Sequence, residues 1–299
     1  MVSFTENDIP DLTGQIIIVT GGNAGLGYET VRQLSKHNPS RIYLAARSAE
    51  KAEQAIKQLT DENPNACPVD FLKLDLASFD SIKTAAKTFT NKESWLDILI
   101  NNAGIMMTPE GLTREGYEIQ FGTNVMGTAL LTQLLLPTVR ATTKLNPQAR
   151  VVILSSASEK MAPSDIYQFD QLKTTMADKH TTARYTASKI ANAHYTIALS
   201  EDNQDVKCVC VEPGMVRTNL HHQAAGMFLR PFLNAAICFA TPVEKGALSQ
   251  VWASVSPDAK SGEFYSPVGV TGKGSKALWD PKKKEALWAY VQKELEGHL

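Results

Sequence analysis

Tyr185 and Lys189 place a phenol and an ammonium four residues apart, which on a helix is one turn along a single face. A cation held beside a tyrosine favours the phenolate, so a group that ordinarily ionises near pH ~10 can exchange protons closer to neutrality. A tyrosine acting as general acid or base needs that property. By itself the spacing also fits two solvated side chains on a surface helix, so its meaning depends on the elements around it.

Those elements alternate. Short apolar, β-branched runs at Ile16–Thr20, Arg41–Ala46, Asp70–Leu74, Leu96–Ile100, Arg150–Leu154 and Val206–Val211 read as buried parallel strands. Between them Leu26–His37, Glu50–Glu62, Ser81–Asn91, Tyr117–Thr142 and Arg184–Ser200 carry helical spacing and polar, Gly or Pro punctuation. Regular βα alternation predicts a doubly wound α/β sheet with helices on both faces. After Pro213 the regularity fades, leaving a helix expected over Val243–Val255 and a last strand over Glu263–Ser266. No linker, repeat or composition break divides the chain, so 1–299 is expected to form one domain, with 13–155 mainly the cofactor half.

The first strand runs into Thr20-Gly21-Gly22-Asn23-Ala24-Gly25-Leu26-Gly27, which opens directly onto a helix. Glycines in that context let backbone approach a pyrophosphate at the positive helix end. Gly21, Asn23, Gly25, Leu26 and Gly27 are therefore expected to line a dinucleotide. Ala46 and Arg47 close the second strand. An acid there would hydrogen-bond an adenosine ribose and repel a phosphate, whereas an arginine offers a fork to a 2'-phosphate. NADP(H) is the expected cofactor, with Lys51 as a second cation.

The glycine spacing together with Tyr185 and Lys189 resembles the classical short-chain dehydrogenase/reductase family, and the likeness covers nearly the whole chain. Its implied fold is a Rossmann-type, mainly parallel, seven-stranded sheet. Asn101-Asn102-Ala103-Gly104 matches the family signature beside the cofactor, which assigns Asn102, Ala103 and Gly104 to cofactor contact. Asp75, followed by Leu76, matches the acid near the adenine ring. Asn124 matches the helix asparagine that helps hold a proton-relay water near the lysine, and Ser156 the serine that bonds the substrate oxygen. Ser156 is preferred to Ser155 because the second serine of such a pair matches the family's position, while strand alternation points the two side chains oppositely. Pro213, Gly214, Val216 and Thr218 match the turn at the nicotinamide end. The 29 positions from Ser156 to Tyr185 exceed the family's usual gap. That insertion, Phe121-Gly122-Thr123-Asn124 and Ser188–Asn192 are similar to the subgroup of retinol dehydrogenases, WW-domain oxidoreductases and protochlorophyllide reductases. Loops 157–184 and 217–243 are then expected on the substrate side.

Composition sets limits on partners. Of 299 residues 43% are apolar and 20% charged, and 30 basic against 31 acidic residues give a net charge of -1. No overall field recruits nucleic acid. Lys282-Lys283-Lys284 reads as a solvated helix start. Cysteines at 67, 208, 210 and 238 form no Cys-x-x-Cys pair, so neither a disulfide framework nor a metal site is expected; Cys208 and Cys210 read as buried on one sheet face. The adjacent His221-His222 lacks clustered partners and reads as loop lining, not as a metal site. The acidic, polar first residues do not resemble a secretory signal, which gives a cytoplasmic expectation. Met227–Pro242 is the longest apolar stretch; Arg230, Asn234 and two prolines interrupt it, making it a membrane-surface contact or a flap over an apolar substrate and not a span.

The combined expectation is hydride exchange between NADP(H) and a lipophilic carbonyl or alcohol, with Tyr185 moving the proton, Lys189 lowering its pKa and holding the nicotinamide ribose, Ser156 orienting the carbonyl and Asn124 supporting proton return. A carbon–carbon double-bond reductase, a nonenzymatic NADP-binding regulator and a membrane-surface lipid enzyme are the alternatives. Homo-oligomers are implied by the resemblance alone.

Overall fold

The computed structural model describes residues 3–216 and 240–299. Thr218, His221-His222 and the apolar segment from Met227 to Phe239 lie outside the described residues. Seven strands form one sheet: β1 (Ile16–Thr20), β2 (Arg41–Ala46), β3 (Val69–Lys73), β4 (Ile98–Asn101), β5 (Arg150–Leu154), β6 (Lys207–Val211) and β7 (Phe264–Tyr265). Their order is β3-β2-β1-β4-β5-β6-β7, and every pairing is parallel, where the resemblance implied a mainly parallel sheet. The order reverses between β1 and β4, and in such sheets the crevice beyond that point, at the carboxyl ends of the strands, is where ligands bind.

The continuous apolar strands follow from burial on both faces. In β1, Ile17 and Val19 pack with Val31, Val251 and Trp252, while Ile16 and Ile18 join the cluster containing Phe89, Leu130 and Val151. Cys208 and Cys210 are free and fully buried, and each packs with side chains of one long helix, Ala191 and Leu199 in the first case, Ile190 and Ala193 in the second. The strand alternation therefore places both thiols as the sequence suggested.

Helix starts are encoded locally. Ser48 Oγ accepts from the Lys51 N–H to begin α2 (Ala49–Glu62), and Ser78 Oγ from the Ser81 N–H to begin α3 (Phe79–Thr90). By contrast α1 (Gly25–Ser35) starts after Ala24 without a side-chain cap. It follows directly on the glycine loop that leaves the carboxyl end of β1.

Two expected helices are broken. Tyr117–Thr142 resolves into α4 (Ile119–Phe121), a π-helical turn at Gly122–Gly127 and α5 (Thr128–Thr143). Close approach explains the bounding glycines: a Cβ on Gly122 would lie 2.3 Å from Thr113 Cγ2, and one on Gly127 2.2 Å from the Leu76 oxygen. Val243–Val255 divides into α7 (Val243–Gly246) and α8 (Leu248–Val255). Between α5 and α7 in the chain, α6 spans Thr181–Asp202, and α9 (Pro281–Leu295) closes the fold behind an Asp280 cap. Lys284 corrects the expected solvated run at the start of α9, because it pairs with Glu201 and its side chain is only 15% exposed.

Gly27 is held to the same standard of fit. A Cβ there would lie 2.3 Å from the Gly21 oxygen and 2.5 Å from Asn102 Nδ2. Gly27→Ala is expected to lose about 1–3 kcal/mol in urea unfolding, with the glycine loop pushed from Asn102; unchanged stability would show that the loop yields freely.

Candidate active site

Strand β5 delivers two serines with opposite fates. Ser155 is buried and its Oγ donates to the Lys189 carbonyl at 2.7 Å, fixing strand to helix. Ser156 is half-exposed; its Oγ accepts the Ser158 N–H at 3.2 Å and lies beside the Tyr185 phenol. Ser158, which the sequence did not single out, also faces that phenol from the short 3-10 helix Ala157–Met161.

Helix α6 supplies the other half. Tyr185 is 5% exposed and Lys189 6%. The Lys189 ammonium donates to the Leu154 carbonyl at 3.3 Å and lies 5.9 Å from the centre of the Tyr185 ring. Lys189 was expected to pull the phenol toward neutrality, but burial outweighs any such pull. Loss of water pushes Tyr185 up to about 12, against downward pulls from the Ser156 and Ser158 hydroxyls, and pushes Lys189 down to about 8. Tyrosine therefore stays protonated at neutral pH, while the lysine is poised near its own titration.

Asn124 lies at the π-helical turn and is fully buried. Its Nδ2 donates to the Ile105 carbonyl and to Ser188 Oγ, both at 2.9 Å, and its Oδ1 accepts the Ile105 N–H at 2.8 Å. Ser188 Oγ in turn donates to the Tyr185 carbonyl at 2.7 Å. The asparagine thus ties the loop after β4 to the helix that carries the tyrosine. A Cβ on Gly104 would come 3.3 Å from Lys189 Nζ and 3.2 Å from Asn124 Oδ1, so the bare glycine leaves a space bordered by both.

The residues expected to contact a dinucleotide follow the carboxyl ends of β1, β2, β3, β4 and β6. Gly21 and Gly25 adopt φ 67° and 54°, conformations that glycine tolerates best, and the uncapped N–H groups of α1 follow. Asn102 Nδ2 donates to the Thr20 carbonyl at 2.7 Å, and the Ala103 N–H to Thr20 Oγ1 at 2.9 Å, holding β4's end against the loop. Gln250 of α8, another residue not singled out in the sequence, donates to Asn102 Oδ1 at 3.3 Å and bonds Thr30. Arg47 and Lys51 are exposed just past β2. Asp75 uses Oδ1 to accept the Ala77 N–H at 3.0 Å, and Leu76 is buried against Gly127. Gly214 (φ 80°) follows Pro213 and donates its N–H to Glu212 Oε2 at 2.7 Å, while Val216 bridges to Thr241. An uncapped helix start, left-handed glycines and exposed cations beyond β2 are chemically suited to a phosphorylated dinucleotide, and Asn23, Leu26 and Gly27 lie in the same loop and helix start.

A second polar layer escaped the sequence reading. Arg184 Nη1 donates to Glu118 Oε1 at 2.8 Å with both side chains almost fully buried, and Glu118 Oε2 accepts the Phe121 N–H at 2.7 Å. Nothing local in the sequence joins the two, which lie 66 positions apart. The inserted segment is anchored too: Tyr167 OH meets His194 Nδ1 at 2.6 Å, His194 Nε2 donates to the Ala277 carbonyl at 2.9 Å, and Glu118 N–H donates to the Leu172 carbonyl at 2.8 Å.

Comparison with known proteins agrees with this geometry. The sequence profile of short chain dehydrogenases matches residues 15–167. A short-chain dehydrogenase/reductase of Armillaria gallica is 40% identical over 99% of this chain and 94% of its own. A human protein named polyprenol dehydrogenase is 32% identical over 99% of this chain and 86% of its own. A crystallised protein from Mycobacterium paratuberculosis superposes with a TM-score of 0.75 at 27% identity, covering 98% of this chain and 97% of that one. The chain belongs to the short-chain dehydrogenase/reductase family, whose members are oxidoreductases that use nicotinamide cofactors.

Lys189 yields a test with a definite sign. Its pKa falls from 10.5 unfolded to about 8 folded, so between those values the unfolded chain binds more protons and stability rises with pH. In cofactor-free protein, Lys189→Met is expected to be stabilising below pH ~8, on the order of 3 kcal/mol, with the gain fading as pH approaches ~10.5. Urea unfolding at several pH values measures it; a gain independent of pH would place the ammonium in water.

Proposed function

We propose that the chain is an NADP-dependent oxidoreductase that interconverts a carbonyl and an alcohol on a lipophilic substrate. The observation that carries this reading is Tyr185: a buried phenol flanked by Ser156 and Ser158, one helical turn from Lys189, at the crevice end of β5. When bound, the nicotinamide supplies or accepts hydride.

Gly21–Gly27 and the start of α1 would hold its pyrophosphate, Arg47 with Lys51 the 2'-phosphate, Asp75 and Leu76 the adenine side, and Asn102–Gly104 with Pro213, Gly214, Val216 and Thr218 the remainder. The family resemblance supports those assignments. In carbonyl reduction Ser156 Oγ–H orients the substrate oxygen, and Tyr185 gives its proton to that oxygen as negative charge develops there. The phenol, pushed up to about 12 by burial, holds at neutral pH the proton that this direction needs. Lys189 carries three N–H donors, of which Leu154 takes one, leaving donors for ribose hydroxyls and for proton return past Asn124. In alcohol oxidation the same phenol must first lose its proton, so that rate is expected to rise with pH while reduction stays flat across neutrality.

The lipophilic substrate rests on the relative named polyprenol dehydrogenase and on the apolar run Met227–Phe239. With NADPH and a panel of straight-chain and isoprenoid aldehydes, Tyr185→Phe is expected to lose at least about a hundredfold in kcat with NADPH affinity unchanged; retention of most activity would remove the proposed acid. For the cofactor, Arg47→Asp is expected to weaken NADPH relative to NADH by about tenfold or more. Equal effects on the two cofactors would remove the phosphate clamp. Product analysis separates an alcohol from a saturated carbonyl and so tests the double-bond alternative.

A further inference from the structure

The geometry points to Gln120 as a positioning residue that fixes the loop after β4 against the first turn of the tyrosine-bearing helix, and so sets the distance across the reacting crevice. This rests on the carbonyl–alcohol reading for its kinetic consequence, although the tie itself does not.

Gln120 is 0% exposed and has partners on two different elements. Its Oε1 accepts the Met107 N–H at 2.8 Å, and its Nε2 donates to the Thr181 carbonyl at 3.0 Å and to Thr181 Oγ1 at 3.2 Å. Thr181 Oγ1 closes the ring by donating to the Thr108 carbonyl at 2.8 Å. Met107 has φ 49°, a left-handed conformation that a residue with a Cβ adopts only when its surroundings impose it. The Gln120 oxygen on its N–H is such an imposition. Strained backbone beside a site, held by a buried side chain, is a way of keeping a loop in one position.

Gln120 is the middle member of a series. Glu118, Gln120 and Asn124 are each 0% exposed, and they bond Arg184, Thr181 and Ser188 respectively. Thr181, Arg184 and Ser188 share one face of α6 at i, i+3 and i+7, beside the face that carries Tyr185 and Lys189. Asn124 bonds Ile105 while Gln120 bonds Met107, so the series grips alternate residues of the loop that follows the Asn102–Gly104 cofactor residues. Asn124 at the deeper end is matched by family resemblance; nothing in that resemblance covers Gln120. It touches no reacting group, and its effect passes through Met107 and Thr181.

The test combines amide hydrogen exchange with kinetics on the full chain. Gln120→Met, close in volume and without polar atoms, is expected to speed exchange in residues 105–108 and in the first turn of α6, with α3 unchanged. With NADPH and farnesal it is expected to lower kcat about tenfold while the KM for NADPH moves less than about twofold, because misplacement and not binding is the defect. Should that variant fold poorly, Thr181→Val is expected to show the same exchange pattern and Thr181→Ser to restore it. Exchange unchanged in either segment, or accelerated equally throughout the molecule, overturns the proposal, as does an equal loss of kcat and cofactor affinity. If the wild type does not turn over farnesal, the functional reading fails at that substrate, and the exchange measurement decides the Gln120 tie by itself.

Discussion

A buried ammonium held one helical turn from a buried phenol is the constraint on which the site is organised. Lys189 is 6% exposed, and its hydrogen-bond partner among the described residues is the Leu154 carbonyl at 3.3 Å. Burying an ammonium away from bulk water is costly and is tolerated only where the surrounding structure holds it in place. Burial lowers its pKa to about 8 and raises that of Tyr185 to about 12, so neither group carries its ordinary acidity. Such opposed shifts cluster where a fold prepares a proton donor and a cation for a ligand.

The layers around this pair keep it from relaxing. Ser155 ties the Lys189 backbone to β5, Ser188 ties the Tyr185 carbonyl to Asn124, and the Arg184–Glu118 ion pair anchors the residue immediately before the tyrosine. Removing one member of a buried ion pair costs about 3–5 kcal/mol because the other charge is left alone. The π-helical turn at Gly122–Gly127 is part of the same device, since it carries Asn124 between the β4 loop and α6. Packing supplies rigidity, and the polar ties supply register.

Much of this was legible in sequence because it depended on local pattern. The strands Ile16–Thr20, Arg41–Ala46 and Arg150–Leu154 have the bounds that their apolar runs suggested. Strand alternation separated Ser155 from Ser156 for the same reason, a period of two. Long-range polar pairing was not legible. Glu118, Gln120 and Arg184 look like helix-surface residues until the fold brings their partners from 61 to 66 positions away. At Tyr185 spacing reveals the neighbouring charge but not the depth of burial that pushes the phenol up. The break in the helix expected over Tyr117–Thr142 depends on contacts of Gly122 and Gly127 with distant segments, which helical periodicity cannot report.

Family membership fixes the chemistry to nicotinamide-dependent oxidoreduction, and the arrangement of Ser156, Tyr185 and Lys189 narrows the proposal to proton delivery at an oxygen. The most direct measurement is the fate of a labelled hydride. Farnesal reduced with NADPH deuterated at C4 of the nicotinamide, in separate samples for each face, should yield farnesol with one deuterium on the former carbonyl carbon from one face only. Deuterium on an alkene carbon, or no transfer from either face, would contradict the account.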